Sequence, residues 1–141
     1  MELTLGIIGA VTGLLGIIIS LLSYSHNRIE AVNAYFENDR AQSFIDARRI
    51  VHNLPNTYDP IQLQKDHGSE IAVLIISYQQ AAILVRKRQL PFWIFKEQAS
   101  GFAVTKLFDK LRPYIEMRRQ DNPAFAKQYE WLYNRIKRIY K

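Results

Sequence analysis

The sequence predicts an all-α protein in which one N-terminal transmembrane helix is followed by a small cytosolic helical bundle. Three observations indicate this fold class. An uncharged apolar run opens the chain, the apolar residues of the remainder recur with helical periodicity, and Gly-rich strand turns and long alternating runs are missing from the sequence. We expect the transmembrane helix within residues 1–25 and the bundle within residues 26–141.

The apolar run extends from Leu3 to Leu22, and twelve of its twenty residues are Leu, Ile or Val. Twenty helical residues rise about 30 Å, which is the hydrocarbon thickness of a bilayer. A cleaved signal peptide would carry Lys or Arg ahead of its apolar core, whereas only Met1 and Glu2 precede this run. The run therefore predicts a membrane anchor, and the alternative interpretation is a buried helix of a soluble domain.

The distribution of basic residues predicts the orientation of this anchor. No Lys or Arg precedes the span, while Arg28 and Arg40 follow it. Basic residues are enriched on the cytoplasmic side of membrane proteins. We therefore expect the N-terminus outside and the C-terminal domain in the cytoplasm.

Small residues recur within and just after the apolar run at steps of three and four. They are Gly6, Gly9, Gly13, Gly16, Ser20 and Ser23. This spacing places them on one helix face, where small side chains let two helices approach closely in lipid. We expect this face to pack against another copy of the chain and form a homo-oligomer. The alternative is chance, because glycine is frequent in transmembrane helices.

The sequence between the span and the central turn predicts three helical stretches. Neither Gly nor Pro occurs between Leu22 and Pro55, so the first helix is expected to continue directly out of the membrane. After the loop at residues 55–60, Asp59 is the expected cap of a short helix. Gly68 and Ser69 then restart the chain, with Ser69 capping an apolar helix over residues 71–85. Its length and two central glutamines favour a bundle core over a second membrane pass.

Two further helices are expected after the turn at residues 86–93. The first runs from about Pro91 to Arg119, with a kink or break near Arg112 because Pro113 removes a backbone donor. The second begins at Asn122 and Pro123. Its apolar face should dock on the apolar helix at residues 71–85, which would bury Phe125, Tyr129 and Leu132 and leave Lys127, Arg135 and Lys141 exposed.

Positive charge is concentrated in the second half of the chain. Residues 84–141 hold fourteen Lys and Arg against five Asp and Glu, whereas residues 1–83 hold five against eight. Such a surface attracts anions, and next to a membrane anchor the nearest anions are lipid head groups. The expected head-group contacts are Arg86, Lys87, Arg88, Arg135, Lys137 and Arg138. Solvated helix faces are the alternative, and nucleic acid is a less favoured partner.

No reaction is indicated by the sequence. The chain has no cysteine, and His26, His52 and His67 are not spaced as metal ligands. Arg48 and His52 lie one turn apart, as in some helical ribonucleases, but their separation departs from the usual spacing of that pair. We therefore expect a protein that is not an enzyme and that needs neither a metal nor a cofactor.

The segments "KLRPYIEMRR" and "YEWL" carry a family resemblance. Over roughly residues 71–136 the chain resembles uncharacterised bacterial single-span, membrane-anchored helical proteins that share a domain of unknown function. The matching motif residues are Arg112, Pro113, Tyr114, Ile115, Trp131 and Leu132. The resemblance implies a fold, an anchor and the bacterial cytoplasmic (inner) membrane, and it implies no activity.

These observations predict a non-enzymatic single-pass membrane protein with a cytosolic helical interaction module. Its expected partners are membrane lipids, a second copy of the chain and an unidentified cytosolic protein. The alternative prediction is a small membrane effector that permeabilises the membrane when it is triggered, because a small-residue stripe also suits a tight assembly of several helices.

Overall fold

A computed structural model of the chain describes residues 2–97 and 100–140, with side chains described from residue 12 onwards except at residue 97. Within these residues the chain forms six helices and no strand, which confirms the all-α class. The helices are α1 Glu2–Arg40, α2 Gln42–His52, α3 Pro60–Arg86, α4 Trp93–Glu97, α5 Ser100–Asp121 and α6 Lys127–Lys137.

Helix α1 has 39 residues and is therefore about 58 Å long. It passes the expected domain boundary at residue 25 without interruption, so the division into 1–25 and 26–141 stays a prediction. The expected continuation of the first helix past the apolar run is confirmed as far as Arg40. The helix ends there because Ala41 is extended (φ −61°, ψ 133°), and α2 starts at Gln42. This break lets α2 bury Phe44, while an ion pair of 3.0 Å from Arg48 to Asp39 joins α2 back to α1.

Helix α3 lies at the centre of the bundle, in contact with α2, α5 and α6. Its N-terminus is capped as expected, because the Asp59 side chain accepts a hydrogen bond of 2.9 Å from the Ile61 N–H. The expected restart near Gly68 is a kink at His67 (φ −138°, ψ 22°), and Ser69 does not act as a cap because its hydroxyl donates to Glu70. The buried face of α3 comprises Leu63, Ile71, Leu74, Ile75, Tyr78, Ala81, Ala82 and Val85.

Length and composition also make α3 the one helix among the fully described residues that is apolar enough to cross a membrane, with a mean hydropathy of 1.4. It is in the middle of the chain rather than at the N-terminus. The N-terminal run at residues 3–22 begins among residues whose side chains lie outside the described part. A core helix of a bundle satisfies the same criterion, and the Tyr78 ring of α3 packs 4.8 Å from the Tyr129 ring of α6.

The expected single helix from Pro91 to Arg119 is instead two helices, α4 and α5. Gly101 explains their close approach, because a Cβ at this position would lie 2.0 Å from the Phe95 carbonyl oxygen. Helix α5 then continues through Pro113, so the chain does not break near Arg112, and the kink expected there stays a prediction. Pro113 is exposed, while Leu111 and Tyr114 on either side of it are buried and hold the helix to the core.

Helix α6 begins at Lys127 rather than at Pro123, because residues 123–126 form a turn that ends with Ala126 in the left-handed region (φ 57°). Its docking is confirmed for Tyr129 and Leu132, which are fully buried. Phe125 is only half-buried and packs on Tyr114 of α5, with ring centroids 6.3 Å apart. The expected exposure of Lys127 and Arg135 is confirmed, and Lys141 lies outside the described residues.

Candidate membrane-proximal surface

The first part of α1 that has described side chains is an apolar helix without cover from the bundle. Every residue from 12 to 30 is exposed. The large aliphatic side chains in this stretch are between 48 and 65 % exposed: Leu14, Leu15, Ile17, Ile18, Ile19, Leu21, Leu22 and Ile29. Monomeric soluble proteins rarely expose contiguous apolar surface of this kind. This part of α1 therefore has the character of a segment that meets lipid or another protein.

The small-residue face of this segment is open. A Cβ at Gly13 or Gly16 would meet nothing within 4 Å. The Ser20 hydroxyl donates a hydrogen bond of 2.8 Å to the Gly16 carbonyl, so its donor is satisfied within the helix, and Ser23 is exposed. The surroundings of Gly6 and Gly9 lie outside the described side chains. Packing of this face against a second copy stays a prediction.

The apolar segment ends where the bundle first touches α1. The Tyr24 hydroxyl donates a hydrogen bond of 3.1 Å to the main-chain oxygen of Arg88, in the loop after α3. Further along α1, Tyr35 is half-buried and its ring lies 5.4 Å from the ring of Phe95 in α4. Tyr24 thus marks the edge of the bundle on α1.

Basic and aromatic side chains gather around this edge. We call them the arginine–aromatic collar: Tyr24, Arg28, Arg86, Lys87, Arg88, Phe92, Trp93, Trp131 and Arg135. Two recesses link its members. One, of about 270 Å³, is lined by Tyr24, Arg28, Val85, Arg88, Leu90, Pro91, Phe92 and Arg135. The other, of about 260 Å³, lies between α1 and Trp93.

The guanidinium groups of the collar stack on its aromatic rings. The Arg135 guanidinium lies 4.6 Å from the Phe92 ring centroid and 5.3 Å from that of Trp131, and Arg86 lies 5.5 Å from Trp131 on the same ring system. Arg86 also donates a hydrogen bond of 2.8 Å to Gln128. Cation–π contacts of this kind use the face of the guanidinium and leave N–H groups at its edge to bind an anion.

The collar cations are not neutralised by carboxylates. In the part of the chain with described side chains, no ion pair involves Arg28, Arg86, Lys87, Arg88 or Arg135. Other arginines of the bundle do form ion pairs. Arg48 pairs with Asp39, Arg112 with Asp109 and Arg119 with Glu130. The collar is therefore a local concentration of uncompensated positive charge.

One of the six residues expected at head groups lies elsewhere on the bundle. Lys137 forms an ion pair of 3.2 Å with Asp109 and lines a recess beside Pro55 and Pro113, away from the collar residues. Arg138 is exposed just after α6 ends. Arg28, which the sequence analysis used only for orientation, is instead part of the collar. Its position follows from the contact between α1 and the loop after α3, which no sequence pattern indicates.

The motif residues of α5 and α6 serve mainly to hold these helices together. Arg112 donates hydrogen bonds to Asp109 (3.2 Å) and to the Tyr133 hydroxyl (3.1 Å), and Tyr133 donates to Asp109 (2.6 Å). With Lys137, these residues form what we call the Asp109 clasp. Burial alone would raise the pKa of Asp109, but the hydrogen bonds from Tyr133, Lys137 and Arg112 outweigh it and hold the pKa below its ordinary value.

The other motif residues are also packing residues. Tyr114 is buried and donates a hydrogen bond to Gln64 of α3. Ile115 and Leu132 are buried in the core, and Trp131 is half-buried beneath the collar arginines. Pro113 is exposed and contacts the recess that also contains Lys137. The motif residues thus act mainly by stabilising the bundle.

A separate groove of about 390 Å³ between α2 and α5 contains Arg48 and His52. The Arg48 side chain is held by the 3.0 Å ion pair to Asp39, and the groove wall includes the exposed ring of Phe102. Among the described residues, no three or more His, Asp or Glu side chains cluster in a way that could hold a metal ion. The groove shows no arrangement of a nucleophile with a base.

A known family matches both the apolar run of α1 and the helical bundle. Residues 4–136 match a domain of unknown function, DUF4760. The chain belongs to the DUF4760 family. The matched range includes all but the first residue of the apolar run and the whole collar, so this DUF4760 chain resembles its family over far more than the expected residues 71–136. The family description names no activity, source or location. No curated protein and no solved structure matches the sequence of this DUF4760 chain.

Proposed function

We propose that this DUF4760 protein is a single-pass protein of the bacterial cytoplasmic membrane, with a non-enzymatic cytosolic bundle that acts as an interaction module. The observation that carries the proposal is the junction at Tyr24. On one side of it α1 is apolar and uncovered, and on the other side lies a collar of arginines and aromatic rings.

This junction has the composition of a membrane boundary. Trp and Tyr are enriched at the level of the lipid head groups, and Arg and Lys are enriched on the cytoplasmic side. In this chain the collar follows the apolar run directly, since Leu22 is the last residue of the run and Tyr24 the first residue of the collar. The twelve Leu, Ile and Val of the run favour insertion by roughly 4–7 kcal/mol before the glycines subtract from this value.

Insertion of the apolar run at the start of α1 leaves the bundle intact, whereas insertion of α3 would dismantle it. Tyr78 of α3 contacts Phe44 of α2 at 5.5 Å and Tyr129 of α6 at 4.8 Å between ring centroids. A membrane-spanning α3 would lose these contacts and would place Gln79 and Gln80 in hydrocarbon. The fold therefore supports α1 as the span.

The first experiment separates an integral protein from a soluble one. Membranes from cells that express the full chain are washed with alkaline carbonate and with high salt, and the protein is then located by immunoblotting. We expect it to remain in the membrane fraction. A paired Ile17→Arg, Ile18→Arg variant should fall largely into the soluble fraction, because two charges at the middle of the span oppose insertion. Release of the unmodified protein would disprove the anchor.

Orientation can be measured because the chain has no cysteine. Single cysteines at Glu2 and at Ser43 are labelled with a membrane-impermeant maleimide in intact cells and in lysed cells. We expect Glu2→Cys to react in intact cells and Ser43→Cys to react only after lysis. The reverse pattern would place the bundle outside the cytoplasm.

The permeabilising effector is the second candidate function, and the open face at Gly13 and Gly16 favours it because close helix packing is needed for a multi-helix pore. Liposomes that contain the full-length protein and a trapped dye distinguish the two candidates. A passive anchor retains the dye. Sustained dye leakage above that of protein-free liposomes would favour the permeabilising effector over the interaction module.

A further inference from the structure

We propose that the recess between α1, the loop after α3 and α6 binds the phosphate group of an anionic phospholipid. This inference rests on the proposed membrane anchorage and adds to it a defined site and a ligand class. The recess has a volume of about 270 Å³, and the site is built by Arg28, Arg88 and Arg135.

The three arginines come from three separate elements, α1, the loop after α3 and α6. None of them forms an ion pair with a carboxylate within the described side chains. Three uncompensated guanidinium groups around one recess repel each other until an anion enters. Phosphate suits such a site because its oxygens accept the paired N–H groups of a guanidinium.

Aromatic contacts fix the orientation of one of these groups. Arg135 lies 4.6 Å from the Phe92 ring centroid and 5.3 Å from that of Trp131. A guanidinium stacked on rings has lost most of its rotational freedom before a ligand arrives, so less entropy is lost when it binds phosphate. The apolar lining by Val85, Leu90 and Pro91 suits the glycerol and first acyl carbons of a lipid.

The turn after α3 sets the position of Arg88 at the recess. Arg88 has φ 60°, in the left-handed region that glycine occupies most readily. It follows the C-cap Lys87 of α3, and the next residue, Gln89, donates its N–H to the Leu84 carbonyl at 2.9 Å. This is the helix ending at which glycine is the usual residue. Arg88 therefore presents its side chain from a tight turn directly after α3.

The location of the recess identifies the source of the phosphate. The recess includes Tyr24, two residues after the apolar run ends at Leu22, and therefore lies at the level of the head groups when α1 spans the membrane. Soluble phosphate compounds would have to compete there with lipid at far higher local concentration. The site thus favours an anionic lipid over a zwitterionic one, whose own positive charge the arginines repel.

The test uses the full-length protein in a neutral detergent and measures its thermal unfolding with added phosphatidylglycerol or phosphatidylcholine. We expect phosphatidylglycerol to raise the unfolding temperature and phosphatidylcholine to leave it nearly unchanged. Arg28→Gln and Arg135→Gln should each weaken the apparent affinity for phosphatidylglycerol roughly fivefold, as expected for the loss of one cation at a lipid surface. Equal responses to both lipids would overturn the proposal.

Two variants separate a defined site from general positive charge. Lys87→Gln removes the same charge at the same end of the bundle, but outside the lining of the recess, and should keep the response to phosphatidylglycerol. Arg88→Gly should lose the response while unfolding, without lipid, at the same or a higher temperature than the parent, because glycine relieves the strained backbone. A Lys87→Gln variant that is as impaired as Arg135→Gln would overturn the defined site.

Inorganic phosphate in the same detergent tests the source of the ligand. We expect it to stabilise the protein much less than phosphatidylglycerol at equal concentration. Equal stabilisation that is lost in the same variants would overturn the lipid assignment. The lipid site and the membrane anchor can fail separately. If the protein resists carbonate extraction but shows no lipid preference, only the lipid site is disproved. If carbonate extracts the protein from membranes, the anchor is disproved.

Discussion

The Tyr24 hydroxyl donates a hydrogen bond of 3.1 Å to the main-chain oxygen of Arg88, 64 residues away in sequence. This bond joins the end of the apolar run to the turn that closes α3. It also secures the carbonyl of a residue whose backbone is in the left-handed region. The apolar run and the bundle are therefore connected at the collar by a tertiary contact as well as by the continuous helix α1.

Replacing Tyr24 by Phe should loosen this connection and leave the bundle folded. The variant keeps the ring and loses one partly exposed hydrogen bond, so we expect a loss of about 0.5–1 kcal/mol in local stability. Amide hydrogen exchange of the full-length protein in detergent should show faster exchange at residues 87–90. Exchange in the loop at residues 53–59 should stay the same, and unchanged exchange at both loops would contradict the role of this bond.

Replacing Gly101 by Ala should destabilise the bundle. The new methyl group would lie 2.0 Å from the Phe95 carbonyl oxygen, so α4 and α5 have to move apart. Overpacking of this kind costs about 1–3 kcal/mol, which denaturant unfolding can measure. Gly16→Ala is the matched control because a methyl group there meets only open space, and it should cause no loss of stability. Similar stability in both variants would refute the close approach.

Removing the charge of Asp109 should make stability less dependent on pH in the acidic range. The folded-state pKa of Asp109 lies below its ordinary value of 3.8, so the unfolded chain binds this proton more readily than the folded one. The stabilisation is then complete above pH 3.8 and is lost as the pH falls through the folded-state pKa.

We therefore expect Asp109→Asn to be less stable than the parent at pH 7, with the difference shrinking as the pH falls below about 4. Because the Asp109 side chain is 43 % exposed, solvent screening limits this difference to about 1 kcal/mol or less. Urea unfolding at a series of pH values measures it. A constant difference between Asp109→Asn and the parent would rule out this linkage.

Replacing Gly13 and Gly16 by Leu should weaken self-association of the full-length protein. Both positions face open space within one chain, so the change adds no clash inside the protein and affects only contact with another helix. Cross-linking and size measurement in detergent report the oligomer. Leu15→Ile, which lies off the small-residue face, should associate like the parent. If the double Leu variant associates equally well, the glycines are not a packing face.

The sequence predicts the elements that depend on local chemistry. Asp59 caps α3 because its carboxylate reaches the N–H two residues ahead, and this bond needs no distant partner. The apolar periodicity of α6 correctly predicted burial of Tyr129 and Leu132, because one helix face must pack on the core. The length and hydropathy of residues 3–22 predict a span for the same local reason.

Tertiary packing decides the helix boundaries that local patterns do not determine. Pro113 does not interrupt α5, because buried neighbours on both sides hold the helix together. Conversely, the chain breaks at Ala41 without any Gly or Pro, because α2 must turn to bury Phe44. The separation of α4 from α5 likewise depends on the approach of Phe95 to Gly101.

The collar shows the same division most clearly. Sequence alone determined that this protein has an apolar segment followed by a basic half, since charge and hydropathy are properties of the residues themselves. Which cations would meet was decided by the fold: Arg28, Arg88 and Arg135 come together from distant parts of the chain, while Lys137 pairs with Asp109. The sequence gives the number and order of the charged side chains, but only packing decides which helix faces carry them. A binding site that needs several cations therefore forms only when the chain folds.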